Sequence, residues 1–269
     1  LKNRTTAGRS HYLYDAVRTF AAQKELVPNS TDEEGSSNHQ TQNHGYVSAV
    51  GDGTFTLGSG ATNQEYTNKD GDNFFAWNWD AGTAAATAST DGTITPDAQW
   101  VNATAGFSIT KYTGTAANAT VGHGLNAAPD LMIHKMYSEN SDWQVWHGTF
   151  SGTQFLQLTN SAIMTQADMW NSTVPTNTVF HLGNGNGTNK SGADIMMYCW
   201  TAIPGYSAFG SYTGNANAEG PFVYLGFRPR MVIFKNTNTT NGWRMQDTAV
   251  NTYNPLNTGV YPNQSSVED

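Results

Sequence analysis

Short apolar runs separated by Gly, Asn, Thr and Ser recur along the chain, and where they stand clear of their surroundings they have strand length. Between residues 106 and 205 the candidates are Phe107–Tyr112, Leu131–Lys135, Trp143–His147, Phe155–Leu158, Val179–Leu182 and Ile195–Trp200. WQVW (143–146) and FLQL (155–158) alternate, the pattern of strands with one wet face. IMMYCW (195–200) and MVIF (231–234) are continuous, as expected at the centre of a sheet. Helical periodicity is weak. The best stretch, YDAVRTFAAQKEL (14–26), has a counterpart at 246–257 that carries Pro255, so a turn or short helical loop is expected there. GNGNGTNKSGAD (183–194), NKDGDN (68–73) and TTNG (239–242) supply turn chemistry, the first as a loop for display and binding. The pattern predicts an all-β fold of two-sheet β-sandwich units of concanavalin or immunoglobulin type.

The pattern also repeats. YTG stands at 112–114 and at 212–214, and Pro129, Lys135 and Trp143 return 100 residues later as Pro229, Lys235 and Trp243. PDLMIHKM (129–136) thus corresponds to PRMVIFKN (229–236). The first residues, LKNRTT, resemble FKNTNT (234–239), and LVPNSTDEE (26–34) resembles VYPNQSSVED (260–269). GTFTLGSG with FFAWNWDAG (53–60, 74–82) matches TVFHLGNG with IMMYCWTA (178–185, 195–202). Tandem units are therefore expected: a partial one at 1–105 ending in a linker (81–105), a complete one at 106–205, and a partial one at 206–269. Both termini are expected to fall inside a unit, with the missing strands in a longer polypeptide or supplied by neighbouring subunits.

Charge narrows the function classes. A net charge of -8 and few Lys or Arg argue against nucleic acid, which requires clustered cations. No apolar run approaches the ~20 residues of a membrane-spanning helix. With Cys199 as the lone cysteine, an intrachain disulfide and a multi-cysteine zinc site are both excluded, and the thiol is expected in the core.

Candidate chemistry is sparse. His123, His134, His147 and His181 share one unit, but 100 residues on His134 becomes Phe234 and His147 becomes Asp247, so no metal site is expected. Asp130, Glu139, Asp142, Asp168 and Asp194 could furnish a glycosidase pair, yet Asp130 is matched by Arg230. Asp70, Asp72 and Asn73 read as a turn and lack the closing Glu of a calcium loop. No nucleophile elbow, phosphate loop or dinucleotide fingerprint is present. No catalytic residue and no cofactor are expected. Trp143 and Trp146 point to opposite faces of their strand; Trp143, matched by Trp243, is assigned to the core, and Trp146, matched by Gln246, to the surface. Trp146 and the loop residue Trp170 are the candidates for stacking on a glycan ring.

The run FGSYTGNANAEGPFVYLGFRPRMVIFKNT (209–237), followed by GWRMQDT (242–248) and YNPLN (253–257), resembles a repeat domain of unknown function found in tail-fibre-like and other virion structural proteins of marine bacteriophages, notably those infecting cyanobacteria. The resemblance implies a virion location after assembly in the host cytoplasm. It also implies partners among other virion proteins and copies of the chain itself, commonly as trimers, and it brings no catalytic residues. The expected function is a virion structural protein, in a tail fibre, spike or capsid appendage, that contacts a host-surface glycan. A secreted carbohydrate-binding module is the alternative, and a glycan depolymerase a third.

Overall fold

Strands form where the apolar runs lie. The computed structural model describes residues 1–159, 162–251 and 254–268. In chain order its elements are β1 (Lys2–Asn3), the single helical turn α1 (Thr41–His44), β2 (Tyr46–Gly51), β3 (Thr54–Gly58), β4 (Phe74–Phe75), β5 (Ala98–Asn102), β6 (Phe107–Thr113), β7 (Ala119–Gly122) and β8 (Leu131–Met136). They continue with β9 (Gln144–His147), β10 (Gln154–Gln157), β11 (Met164–Thr165), β12 (Val179–Leu182), the turn α2 (Asn186–Asn189), β13 (Asp194–Trp200), β14 (Met231–Phe234) and β15 (Arg244–Asp247). The protein is all-β, with several sheets in a sandwich-like arrangement.

Seven strands make the main sheet, in the order β11-β10-β9-β8-β13-β6-β5, every neighbour antiparallel. β13 lies inside it between β8 and β6, and Ile195 to Cys199 are all buried, which is why that stretch is apolar without alternation. The segment 81–105 is not wholly a linker. Its end is β5, an edge strand on β6, and the strand escapes a reading of apolar pattern because its inward residue is polar. Gln99 is buried and donates from Nε2 to Thr110 Oγ1 at 3.0 Å and to the Gly122 carbonyl at 2.8 Å.

Pairing register tells which side chains share a face, since partners across a ladder point the same way. On one face stand Met132, His134, Trp146, Met197 and Tyr112, covered by the β7–β12 pair and the turns at 169–189. The Tyr112 and Phe180 rings are 5.9 Å apart there, and Tyr112 Oη and His134 Nε2 both donate to the Thr188 carbonyl, at 2.9 and 3.1 Å. On the other face stand Ile133, Lys135, Val145 and Tyr198, with Trp143 beside them, covered by the chain's first 35 residues through Leu13, Val17 and Leu26. Trp143 Nε1 donates to the carbonyls of Val27 and Ser30 at 3.2 and 3.1 Å. Lys135, fully buried, donates from Nζ to Thr31 and Ser141 carbonyls at 3.0 and 2.6 Å. The stretch 183–194 is not a displayed loop: Thr188 and Asn189 are buried, and Asn189 Nδ2 donates to Ala117 and Gly183 carbonyls.

Hydrogen-bond geometry recurs at the 100-residue spacing. In β8–β9 Leu131 faces His147 and His134 faces Gln144; in β14–β15 Met231 faces Asp247 and Phe234 faces Arg244. The next bond closes each hairpin alike, Gly148 N to Asp130 O at 2.7 Å and Thr248 N to Arg230 O at 2.9 Å. Ala116 and Ala216 share φ of 54°, and Asn126 and Gly226 are both left-handed. Near the N-terminus Lys2 faces Phe75 as Lys135 faces Met196, and Leu13 bridges Leu26 as Met245 bridges Val260.

Burial holds the His134 and His11 imidazoles neutral, lowering each pKa to about 3. Each ring is neutral when folded and protonates near 6.5 when unfolded, so its contribution is complete above pH 6.5 and is lost as pH falls from there towards 3. The loss is about 1.4 kcal/mol per pH unit for each ring. His134→Phe, the residue found at 234, should reduce the slope of urea-unfolding free energy against pH between 4 and 6 by that amount; an unchanged slope refutes the assignment.

Candidate functional site

Where the first residues meet the main sheet, charge is buried. The chain turns sharply after Asp15 because its carboxylate accepts from the backbone N–H groups of Val17 and Arg18 at 3.0 and 2.9 Å, the turn habit of Asp. The turn brings Arg18 back over the same carboxylate, with Nε and Nη2 each 2.7 Å from Oδ2 and both side chains 2% exposed. Tyr198 on β13 donates its hydroxyl to Oδ2 at 2.7 Å, linking the turn to the centre of the sheet. Arg18 also donates to the Lys24 carbonyl at 2.9 Å, lies 3.5 Å from Glu34, and sits over the Tyr137 ring. Burial first, then the Asp15 charge, pushes the Tyr198 hydroxyl well above its ordinary pKa, so it remains a donor. The Asp15 carboxylate is fully committed to acceptor bonds. Chemically the arrangement is a lock between segments, not a poised acid or base.

Turns of the same kind, without the ion pair, stand at His147 and Asp247. His147 Nδ1 accepts from Thr149 N at 3.2 Å, and Asp247 Oδ1 from Ala249 N at 2.6 Å, in each case the N–H two residues on. Asp247 also has its aromatic donor, Trp77 Nε1, at 3.0 Å. Three residues after Asp247 stands Val250, where Arg18 follows Asp15. Beside it is a hollow of about 10 Å³, lined by Phe75, Trp77, Met245, Val250 and Val260, far below the ~300 Å³ at which ligand pockets begin.

The glycan candidates are corrected by the burial. Trp146 is 3% and Trp170 1% exposed, so neither ring offers a face to a sugar. The alternation of WQVW is correct, with Trp143 and Trp146 on opposite faces, but the sheet is covered on both sides. Trp146 Nε1 donates to the Ser151 carbonyl at 3.1 Å, and Trp170 stands edge-on to His134 at 6.4 Å.

The histidines do not converge: His123 accepts from Leu125 N and contacts the Thr176 carbonyl, His134 and His147 are engaged as above, and His181 Nε2 is buried with no hydrogen bond among the described residues. Among the described residues no three His, Cys, Asp or Glu side chains gather as metal ligands. Asp130 accepts from Ala202 N, Asp142 from Thr159 Oγ1, Asp194 pairs with Lys111 and Glu139 with Lys190. Asp72 Oδ2 accepts from Asn3 Nδ2 and Thr6 Oγ1, with Lys69 Nζ at 3.4 Å. Cys199 is buried, and burial pushes its thiol pKa up, away from reactivity. The ionic corner escapes sequence reading, because nothing in YDAVR announces a buried pair. Its one trace is the Asp15 and Asp247 match, which stands one residue out of the register set by Lys2 and Lys235.

Removing one partner of a buried pair leaves the other uncompensated, at about 3–5 kcal/mol. Arg18→Met should cost that much in urea unfolding and Tyr198→Phe about 1–2 kcal/mol. Asp15→Asn combined with Arg18→Met should cost clearly less than the two singles together; additive costs would show that the pair is not coupled.

Among the described residues no helix is long and apolar enough to cross a membrane. No curated protein and no solved structure matches the chain. One family does, over residues 1–269, and the protein belongs to it: the domain of unknown function DUF7483.

Proposed function

We propose that the chain is an architectural, non-catalytic protein made of three related β units, 1–105, 106–205 and 206–269, that close on one another around a pseudo-threefold axis. The observation that carries this reading is a set of equivalent bonds running from each unit to the one before it, and from the first to the third. From the second unit, Trp143 reaches the Val27 carbonyl, Lys135 the Thr31 carbonyl and Tyr198 the Asp15 carboxylate. From the third, Trp243 Nε1 reaches the Gln157 carbonyl at 3.3 Å, one residue beyond Leu156 as Val27 is one beyond Leu26. From the first, Trp77 reaches Asp247, and Lys2 Nζ the Ser265 carbonyl at 3.2 Å. Ser265 stands where Thr31 stands, three residues after the Pro of the matched PN pairs 28–29 and 262–263. Such donors direct N–H and O–H groups at buried acceptors and hold units in one orientation, as a stiff module requires.

The role we propose is that of a building block in a phage virion, as tail fibre, spike or capsid appendage. It is supported by the resemblance of residues 209–257 to such proteins and by a low charged fraction of 13%. The commitment of the buried Asp15 carboxylate to Arg18, Tyr198 and two backbone N–H groups argues for architecture over hydrolysis. Host contact, including any glycan, falls to exposed loops and not to Trp146 or Trp170.

Antibodies raised against the purified chain should label an appendage or the capsid surface on particles of a phage that encodes it, and peptides of the chain should co-purify with those particles through a density gradient. Recovery solely in the particle-free supernatant refutes the virion assignment.

A further inference from the structure

We infer that the third unit holds a slot for one more β-strand, apolar on both faces like β13 and supplied from outside these 269 residues, between β14 and residues 207–213. The inference rests on the three-unit reading.

In the second unit β13 fills the space between β8 and β6, pairing with both. In the first unit β4 takes the same edge of β1. In the third, the equivalent of β8 is β14, which pairs with β15 in the β8–β9 register, and among the described residues its other edge has no partner strand. Residues 208–230, equivalent to β6 and β7, carry no strand or bridge, although their turns at Ala216 and Gly226 keep the left-handed backbone of Ala116 and Asn126. The side chains record the vacancy. Tyr112 and Met132 are at most 1% exposed, whereas their equivalents Tyr212 and Val232 are 57% and 39% exposed. Ile233 on the same strand is 43% exposed, and Phe222 and Tyr224 in the preceding segment are 90% and 82% exposed. Unpaired N–H and C=O groups beside exposed apolar side chains are what strand addition satisfies, the ladder giving affinity and the side-chain sites specificity.

Register defines the occupant further. Met132 faces Cys199 and Ile133 faces Tyr198, so the residue opposite Ile233 stands where Tyr198 stands. Tyr198 and, in the first unit, Trp77 are the aromatic donors to the corners at Asp15 and Asp247. The remaining corner, His147, receives no such donor among the described residues. The incoming strand is therefore one with Tyr at that position, its hydroxyl oxygen accepting from the His147 Nε2–H, since Nδ1 already accepts from Thr149 N.

Two forms of one experiment test this on the whole chain. A synthetic peptide with the sequence of residues 178–200 is added in trans, and separately a chain is made in which residues 166–205 are repeated after Asp269. Hydrogen exchange should slow at least tenfold in 207–213 and 231–234, leaving 107–113 and 131–136 unchanged, with a smaller effect when the added copy carries Tyr198→Phe. Absence of protection in both forms overturns the proposal. So does a chain that, alone, is dimeric with those segments already protected, because a second copy then fills the slot. A crystal structure of the extended chain separates the two readings. Hairpins 131–147 and 231–247 that fail to superimpose end the repeat, and hairpins that superimpose beside a bare β14 edge end only the slot.

Discussion

Coverage of the main sheet on both faces is the constraint on which the rest of the structure depends. A sheet with one wet face could tolerate alternating strands and short loops. Here the β7–β12 pair covers one side and the first 35 residues the other, so β13 is apolar at successive positions and even β9 buries Gln144, Val145 and Trp146 together. One cover is interleaved in sequence with the strands of the main sheet and the other is the N-terminal segment, which is therefore part of the same core and not an appendage to it. Burial at this scale is worth about 25 cal/mol per Å² of apolar area, far more than any single bond described above, and the polar contacts act chiefly on orientation.

Covering both faces strands polar groups, and the protein answers with long side chains aimed at backbone carbonyls. Lys135 and Lys2 carry their ammonium groups to loop acceptors while fully buried, and burial lowers both pKa values to about 8. Lys235, just past the end of β14 and partly exposed, donates to the carbonyls of Asn236 and Thr239. The Asp15–Arg18–Tyr198 corner solves the same problem with an ion pair. A buried pair is a poor source of net stability and a good source of orientation, because any misaligned arrangement leaves a charge uncompensated. That asymmetry suits a protein proposed to serve as a rigid part.

Much of the fold is legible in the sequence, and the exceptions have physical causes. The six strands expected between 106 and 205 all form, with boundaries shifted by a residue or two, because apolar runs bounded by Gly and Asn leave little choice of element. β5 and β7 carry no apolar run: β5 buries Gln99, and β7 offers Val121 as its one large apolar side chain. Trp146 was assigned to the surface by correct alternation and incorrect layering. Period-two patterning tells which side chains share a face and is silent on what lies against that face. The turn chemistry of 183–194 was read correctly, but its apparent exposure was an inference from polarity, which the Asn189 hydrogen bonds overturn.

By itself, then, the sequence determined the element type, the central place of the IMMYCW strand and the correspondence of segments 100 residues apart, since these depend on local composition and on spacing along one chain. Only the tertiary structure decided that both faces of the sheet are dry, that Asp15, Arg18 and Tyr198 meet, and that Tyr212, Phe222 and Tyr224 lie open. Those outcomes depend on which distant segments are near enough to exclude water, and a side chain's own chemistry does not state its neighbours.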